Sequence, residues 1–185
     1  MRSMMRIASL ALVLLGVAAA APVAHADSYI LFGIGPKAGV GGDLGEVADG
    51  DTRALRLGFG QRIGPIGLEV SGFGADLVGT GGRGFALGRE YSTLSFAADL
   101  KGFFTLLGPL ELFGKAGLNY TVVNGNDYSG TGFDLGGGGQ FVFDMPVGYA
   151  ALWVDYTFQH LGLSDDTRDI GGSLNMLMVG VSFGM

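Results

Sequence analysis

The sequence predicts an all-β chain: an eight-stranded antiparallel up-and-down transmembrane β-barrel, following an N-terminal signal peptide. Three observations carry that reading. Apolar and polar residues alternate with a period of two along most of the chain. No apolar run of about 18 residues, the length a membrane-spanning helix needs, follows the N-terminal leader. The connectors between the alternating segments are short and long in turn.

The leader is read first because it sets the compartment. "MRSMMR" carries two arginines and no acid, residues 7–21 are apolar, and "AHA" at 24–26 is a small-x-small cleavage site. Residues 1–26 are therefore expected to be a cleaved secretory signal peptide, and residues 27–185 a single barrel domain. No cysteine follows to carry a lipid anchor. Loss of Arg2 and Arg6 leaves 159 residues with 9 basic and 17 acidic side chains, a net charge of -8. Such a chain is a poor partner for nucleic acid or for an anionic membrane surface.

Strands are predicted at 29–38, 53–63, 66–77, 91–106, 110–122, 132–143, 149–159 and 173–183. In the fourth, Leu94, Phe96, Ala98, Leu100 and Phe104 share one face, and Thr93, Ser95, Asp99 and Lys101 the other. The fifth repeats this with Leu110, Leu112, Ala116 and Leu118 against Glu111, Lys115 and Asn119. Short turns at 64–65, 108–109 and 144–148 alternate with Gly- and Asp-rich stretches, "VGGDLGEVADGDT", "VGTGGRGFALGRE", "VNGNDYSGT" and "HLGLSDDTRDIGG". These four are read as long external loops.

In a closed barrel in lipid one parity faces hydrocarbon and the other the lumen, and closure pairs every backbone group. The charges set into greasy segments then become lumen charges: Lys37, Arg56, Arg62, Lys101 and Lys115 against Glu69, Asp99, Glu111, Asp134 and Asp155. An eight-stranded barrel has room for side chains but hardly for a water column, so a balanced, salt-bridged plug is expected. The 36 glycines among 185 residues fit a narrow, strongly curved barrel, with Gly136 and Gly138 expected to face Trp153 or the Lys115 stem. Tyr29, Tyr91, Tyr120, Phe143, Tyr149 and Phe158 stand near strand ends and are expected to form interfacial girdles.

The eight alternating strands, "LELFGKAGLNYT" in the fifth and the closing "LNMLMVGVSFGM" resemble the small OmpA/OmpX-type outer-membrane β-barrels over residues 28–185. The resemblance implies residence in the bacterial outer membrane, contact with its lipids and lipopolysaccharide, and passage through the outer-membrane assembly machinery. That family commonly ends in an aromatic residue that resembles a signal for the machinery. Here the end is Phe183-Gly184-Met185, with the last aromatic two residues early.

Chemistry is thinly represented. His160 is the only histidine after the leader, and Ser164, Asp165, Asp166 and Asp169 follow it, a set that could activate a hydroxyl. The position is similar to the active strand of lipid A deacylase barrels, but those carry His-x-Ser, and residue 162 here is Gly. His160 and Ser164 are thus weak catalytic candidates beside a solvated rim histidine. No spacing supports a cofactor or a dedicated metal site, although Asp43, Glu46, Asp49 and Asp51 could bridge to lipopolysaccharide through a divalent cation.

The favoured function is structural or surface-interacting and non-enzymatic: a monomeric barrel whose external loops contact another protein or surface. The alternatives are a narrow channel for small solutes and a lipid-modifying enzyme using His160. A soluble lipocalin-like barrel shares the period of two with the faces exchanged, but a chain only 15% charged leaves little polar surface for it.

Overall fold

The computed structural model describes residues 27–36, 38–50, 54–125, 127–164 and 168–185. The expected signal peptide and its boundary, and the side chains of Lys37, Asp51, Asp165 and Asp166, lie outside these residues. The elements are β1 (Asp27–Gly35), β2 (Ala38–Gly42), α1 (Asp43–Val47), β3 (Ala48–Gly50), β4 (Ala54–Ile63), β5 (Ile66–Gly79), β6 (Glu90–Leu107), β7 (Leu110–Asn124), β8 (Ser129–Asp144), β9 (Tyr149–Ser164) and β10 (Asp169–Gly184).

All pairings are antiparallel, in the order β1, β4, β5, β6, β7, β8, β9, β10, and β10 pairs back onto β1 to close the ring. Strand β2 resumes the pairing of β1 on β10: Ile34 stands opposite Val179 and Ala38 opposite Met176. The break falls beside Pro36, which has no N–H to give to a ladder. Strand β3 likewise extends β4 along β5, with Gly50 opposite Leu77 and Leu55 opposite Gly74. Ten strand segments therefore make eight staves, as the alternation predicts.

The strand ends depart from expectation at one end only. Strands β7, β8, β9 and β10 run through most of "VNGNDYSGT" and "HLGLSDDTRDIGG", leaving connectors at 125–128 and 165–168. Two of the four long loops are thus strand extensions. The Gly and Asp content obscured a surviving alternation: Leu161, Leu163, Ile170 and Leu174 are all buried. The described part of the first loop folds into β2, α1 and β3, and among the described residues 80–89 remains a long irregular connection. There Gly81, Gly82, Arg83 and Gly84 take φ values of 94°, 113°, 43° and 89°, a left-handed path that glycine permits and that brings Phe85 inward.

A membrane-crossing β-strand needs about 9–11 residues. Strand β9 has 16. The excess stands above the membrane at the end opposite the short turns, and the barrel has two storeys. In the lower, the exterior is apolar, with Ile30, Leu57, Leu68, Phe104, Leu118 and Leu152 between 55 and 71% exposed. In the upper, the interior is apolar: Leu44 and Val47 of α1, Phe85, Tyr91, Tyr128, Leu161, Leu163, Ile170 and Leu174 form one buried cluster. The exterior of these upper strands presents Ser92, Asn124, Ser129, Thr131, Ser164 and Ser173.

Part of the expected girdle is corrected. Tyr29 and Tyr91 are buried and point inward, and Tyr149 packs against the lumen cluster. All three lie on the inward parity, which outweighs nearness to a strand end. Phe143 faces outward, 44% exposed, and Tyr120 and Phe158 are partly exposed on the outer face.

Candidate functional site: the barrel lumen

The lower lumen is built by side chains from the inward parity of β1 and β4 to β9. Arg56 on β4 stands at its centre, 2% exposed. One of its Nη atoms donates to Asp155 Oδ2 at 2.9 Å, and the other donates to Glu69 and lies 3.8 Å from Asp99. Lys101 Nζ donates to Glu69 Oε2 at 2.9 Å, and the Tyr29 hydroxyl donates to the same oxygen at 3.0 Å. Lys115 Nζ is 2.8 Å from Asp155 Oδ2, whose other oxygen accepts from Thr157 at 2.7 Å. A buried charge left unpaired costs several kcal/mol, roughly 3–5 when one partner is removed. The interlocking of cations and carboxylates is the condition for having charges here at all.

Aromatic rings fill the space between the ions. The Arg56 guanidinium lies 4.8 Å from the Phe73 ring and 5.8 Å from that of Trp153, and Lys101 Nζ lies 4.2 Å from that of Phe113. Such rings exclude water and attract the cations through their quadrupoles. The indole of Trp153 fits because Gly33 and Gly180 carry no side chain: a Cβ at either would collide with its six-membered ring. Gly136 faces the Lys115 stem as expected, and a Cβ at Gly138 would meet the Val154 carbonyl and the Phe113 ring.

A second ion pair sits nearer the short turns. Arg62 donates twice to Glu111, at 2.7 and 3.0 Å, and stacks 4.3 Å from Phe103. Gln140 Nε2 and Thr105 Oγ1 also donate to Glu111, at 2.7 and 3.2 Å. Below it opens a recess of about 620 Å³ lined by Asp27, Thr105, Asp144 and Tyr149. Above it, a cavity of about 10 Å³ lies among Tyr29, Arg56, Lys101 and Trp153, about one water's worth of space. Asp134 accepts from Asn119 Nδ2 at 2.8 Å, and Ser95 and Thr121 share a hydrogen bond of 2.6 Å at mid-height.

Nine of the ten lumen candidates thus lie inside the barrel, with Arg62 partly buried at the mouth; the tenth, Lys37, is outside the described residues. Alternation placed them, but not their aromatic packing. The other candidates are not assembled. His160 belongs to β9 and not to a loop, points outward, and stacks on Phe133 with ring centres 5.0 Å apart. Ser164 is four residues further along the same extended strand, about 13 Å away at ~3.3 Å per residue, beyond any proton transfer between them. Asp43 pairs with Arg83 at 3.1 Å. Among the described residues no group of three or more His, Cys, Asp or Glu gathers as metal ligands.

Comparison with solved structures agrees with this architecture. Neisserial surface protein A superposes with a TM-score of 0.64, at 16% identity, covering 86% of this chain and 99% of that one. The chain is an outer-membrane β-barrel by fold. Ail, the attachment invasion locus protein of Yersinia pestis, matches at TM-score 0.51 and 16% identity, covering 88% and 100%. A major outer membrane protein of Thermus thermophilus matches at TM-score 0.51 and 13% identity, covering 88% and 100%. No protein-family model and no curated protein matches the sequence. Fold and apolar exterior together place this barrel in the bacterial outer membrane.

Proposed function

We propose that this barrel is a closed, non-enzymatic anchor that presents a rigid cap outside the cell. The observation that carries the reading is closure at two heights by different chemistry. The lower lumen is filled by ion pairs wrapped in aromatic rings, and the upper lumen by the apolar cluster around Phe85, Leu161 and Ile170. A conducting path for small solutes needs a continuous water column through both, and an apolar plug opposes water as strongly as it opposes ions. Transport through the lumen is therefore the weaker reading.

The cap supplies what an interaction module needs. The packing of α1 and of Phe85 into the apolar cluster holds the described part of the cap, so a partner meets an ordered surface there and little entropy is lost on contact. Its charged side chains are mainly acidic, with Asp43, Glu46, Asp49, Glu90, Asp127 and Asp169 against Arg83, Arg89 and Arg168. Ail was solved with the heparin analogue sucrose octasulfate; an acidic cap favours instead a basic partner, or lipopolysaccharide phosphates bridged by divalent cations. Leu87, 82% exposed at the crest of the 80–89 loop, offers an apolar contact among these charges.

Planar-bilayer recording tests the closed lumen. The purified barrel is expected to insert without unitary current steps, and to stay silent when Arg62 is replaced by Ala, because the upper plug remains. Reproducible steps from the unaltered protein would overturn the anchor reading and make the channel primary.

A further inference from the structure

The connector between β7 and β8 carries chemistry that neither storey uses. It opens on Asn124-Gly125, and of the four asparagines in the chain Asn124 alone precedes a glycine. An asparagine so placed has its nucleophile attached: the backbone nitrogen of the next residue closes a five-membered ring onto the side-chain amide carbon. Proximity favours that attack, and glycine puts no side chain in its way.

The surroundings single out this asparagine. Asn124 ends β7 opposite Ser92 of β6, and its Nδ2 donates to Ser92 Oγ at 3.2 Å. Toward β8 the ladder has already stopped, at the bond from Val123 N–H to Tyr128 O of 2.9 Å. Asn124 and Gly125 are both exposed to water. Asn119 and Asn175, by contrast, sit within paired strands and precede tyrosine and methionine.

A cation stands over the same peptide. Gly125 takes a φ of 87°, and a Cβ there would lie 3.6 Å from Arg89 Nη2 and 3.4 Å from the Tyr91 ring. Arg89 is held in place: its N–H donates to Ala86 O at 3.2 Å, its carbonyl accepts from Gly79 N–H at 2.9 Å, and its guanidinium lies 5.5 Å from the centre of the Tyr91 ring. A fixed positive charge beside the reacting peptide stabilises the oxyanion that the attack develops.

We propose that Asn124 is a self-modifying site, converted without an enzyme to aspartate and isoaspartate. The Gly125 nitrogen gives its proton to solvent and bonds to Asn124 Cγ, the Cγ–Nδ2 bond breaks, and ammonia leaves with a proton from water. Water then opens the resulting succinimide at either carbonyl, so that one amide and one water become one carboxylate and ammonia. The product sets a carboxylate beside Arg89 and adds a negative charge to the cap. The isoaspartate form also adds a main-chain carbon to a connector that ends at Tyr128. That residue stacks on Phe85 and donates to Arg83 O at 2.9 Å, so the change reaches the seal of the upper storey. The inference is independent of what the cap binds.

The test incubates the whole barrel, folded in detergent micelles, at mildly alkaline pH and follows it by peptide mass mapping. A gain of about 1 Da is expected in the peptide holding Asn124, at least tenfold faster than at Asn119 or Asn175, with isoaspartate shown there by enzymatic methylation. Conversion in the folded barrel is expected to be no slower than in the urea-unfolded chain. Arg89→Gln is expected to slow it at least threefold in the folded barrel and to leave the unfolded rate unchanged, which separates the local charge from the intrinsic reactivity of the dipeptide. A folded barrel that converts more slowly than the unfolded chain would show that the strand end withholds the attack, and would overturn the proposal. So would equal rates in the folded parent and Arg89→Gln. Should Arg89→Gln fail to fold, the ratio of folded to unfolded rates in the parent decides.

Discussion

The two storeys of this barrel solve opposite solvent problems with one strand pattern. At membrane height the inward residues are Arg56, Glu69, Lys101, Lys115 and Asp155, and the outward ones are leucine, isoleucine, valine and phenylalanine. A few residues further along the same strands the assignment reverses: Leu161 and Leu163 point inward while Gly162 and Ser164 point outward. The period of two continues unbroken through β9, so the reversal comes from residue type and not from register. The surroundings dictate it: hydrocarbon outside demands an apolar exterior, and water outside rewards an apolar interior. The lower lumen can hold charges only because each is paired, and the upper core needs no pairing because it buries little that is polar.

Substitutions can break each storey by its own rule. The largest effect is expected from Arg56→Ala, which leaves Glu69 with Lys101 and Asp155 with Lys115 and takes from Asp99 its ion-pair contact, at a cost of about 3–5 kcal/mol. It should appear as a large fall in the urea midpoint measured in phospholipid vesicles, or as loss of the heat-dependent shift on an unboiled gel. If Arg56→Ala unfolds like the parent, the ion network is ornamental and the aromatic packing carries the lumen.

A matched pair of outward charges probes where the membrane stops. Leu100→Arg places a cation midway along the outward apolar run of β6, where Leu100 is 56% exposed, and should cost about 2–4 kcal/mol near the bilayer midplane. Ser164→Arg, on the outer face of β9 above the belt, should stay within about 0.5 kcal/mol. Equal costs at the two positions would mean that lipid reaches the cap and would dissolve the distinction between storeys. The smallest expected change is Tyr156→Phe. It removes the exposed hydrogen bond from the Tyr156 hydroxyl to Asn175 Oδ1 at 3.0 Å, and should lower stability by about 0.5–1 kcal/mol.

Most of the lower storey was legible in the sequence, and the upper was not. "DLKGFF" and "LELFGKAGL" announce their two faces because a charge beside a leucine leaves no doubt about parity. In "HLGLSDDTRDIGG" the same alternation is carried by Leu161 and Leu163 against glycine and serine, and turn-forming composition masks it. Tyr29 and Tyr91 misled for a related reason: an aromatic near a strand end suits an interface, yet parity had already turned both inward.

The sequence by itself determined the strand count, the antiparallel order and which side chains share a face. Those follow from a local period and from connector lengths. Only the tertiary structure decided that Arg56 is held by Glu69 and Asp155, that Trp153 fills the space left by Gly33 and Gly180, and that Phe85 and α1 seal the cap. Each of these joins residues from strands or loops far apart in the chain. Their meeting depends on how the sheet curls and shears to close, which no local pattern records.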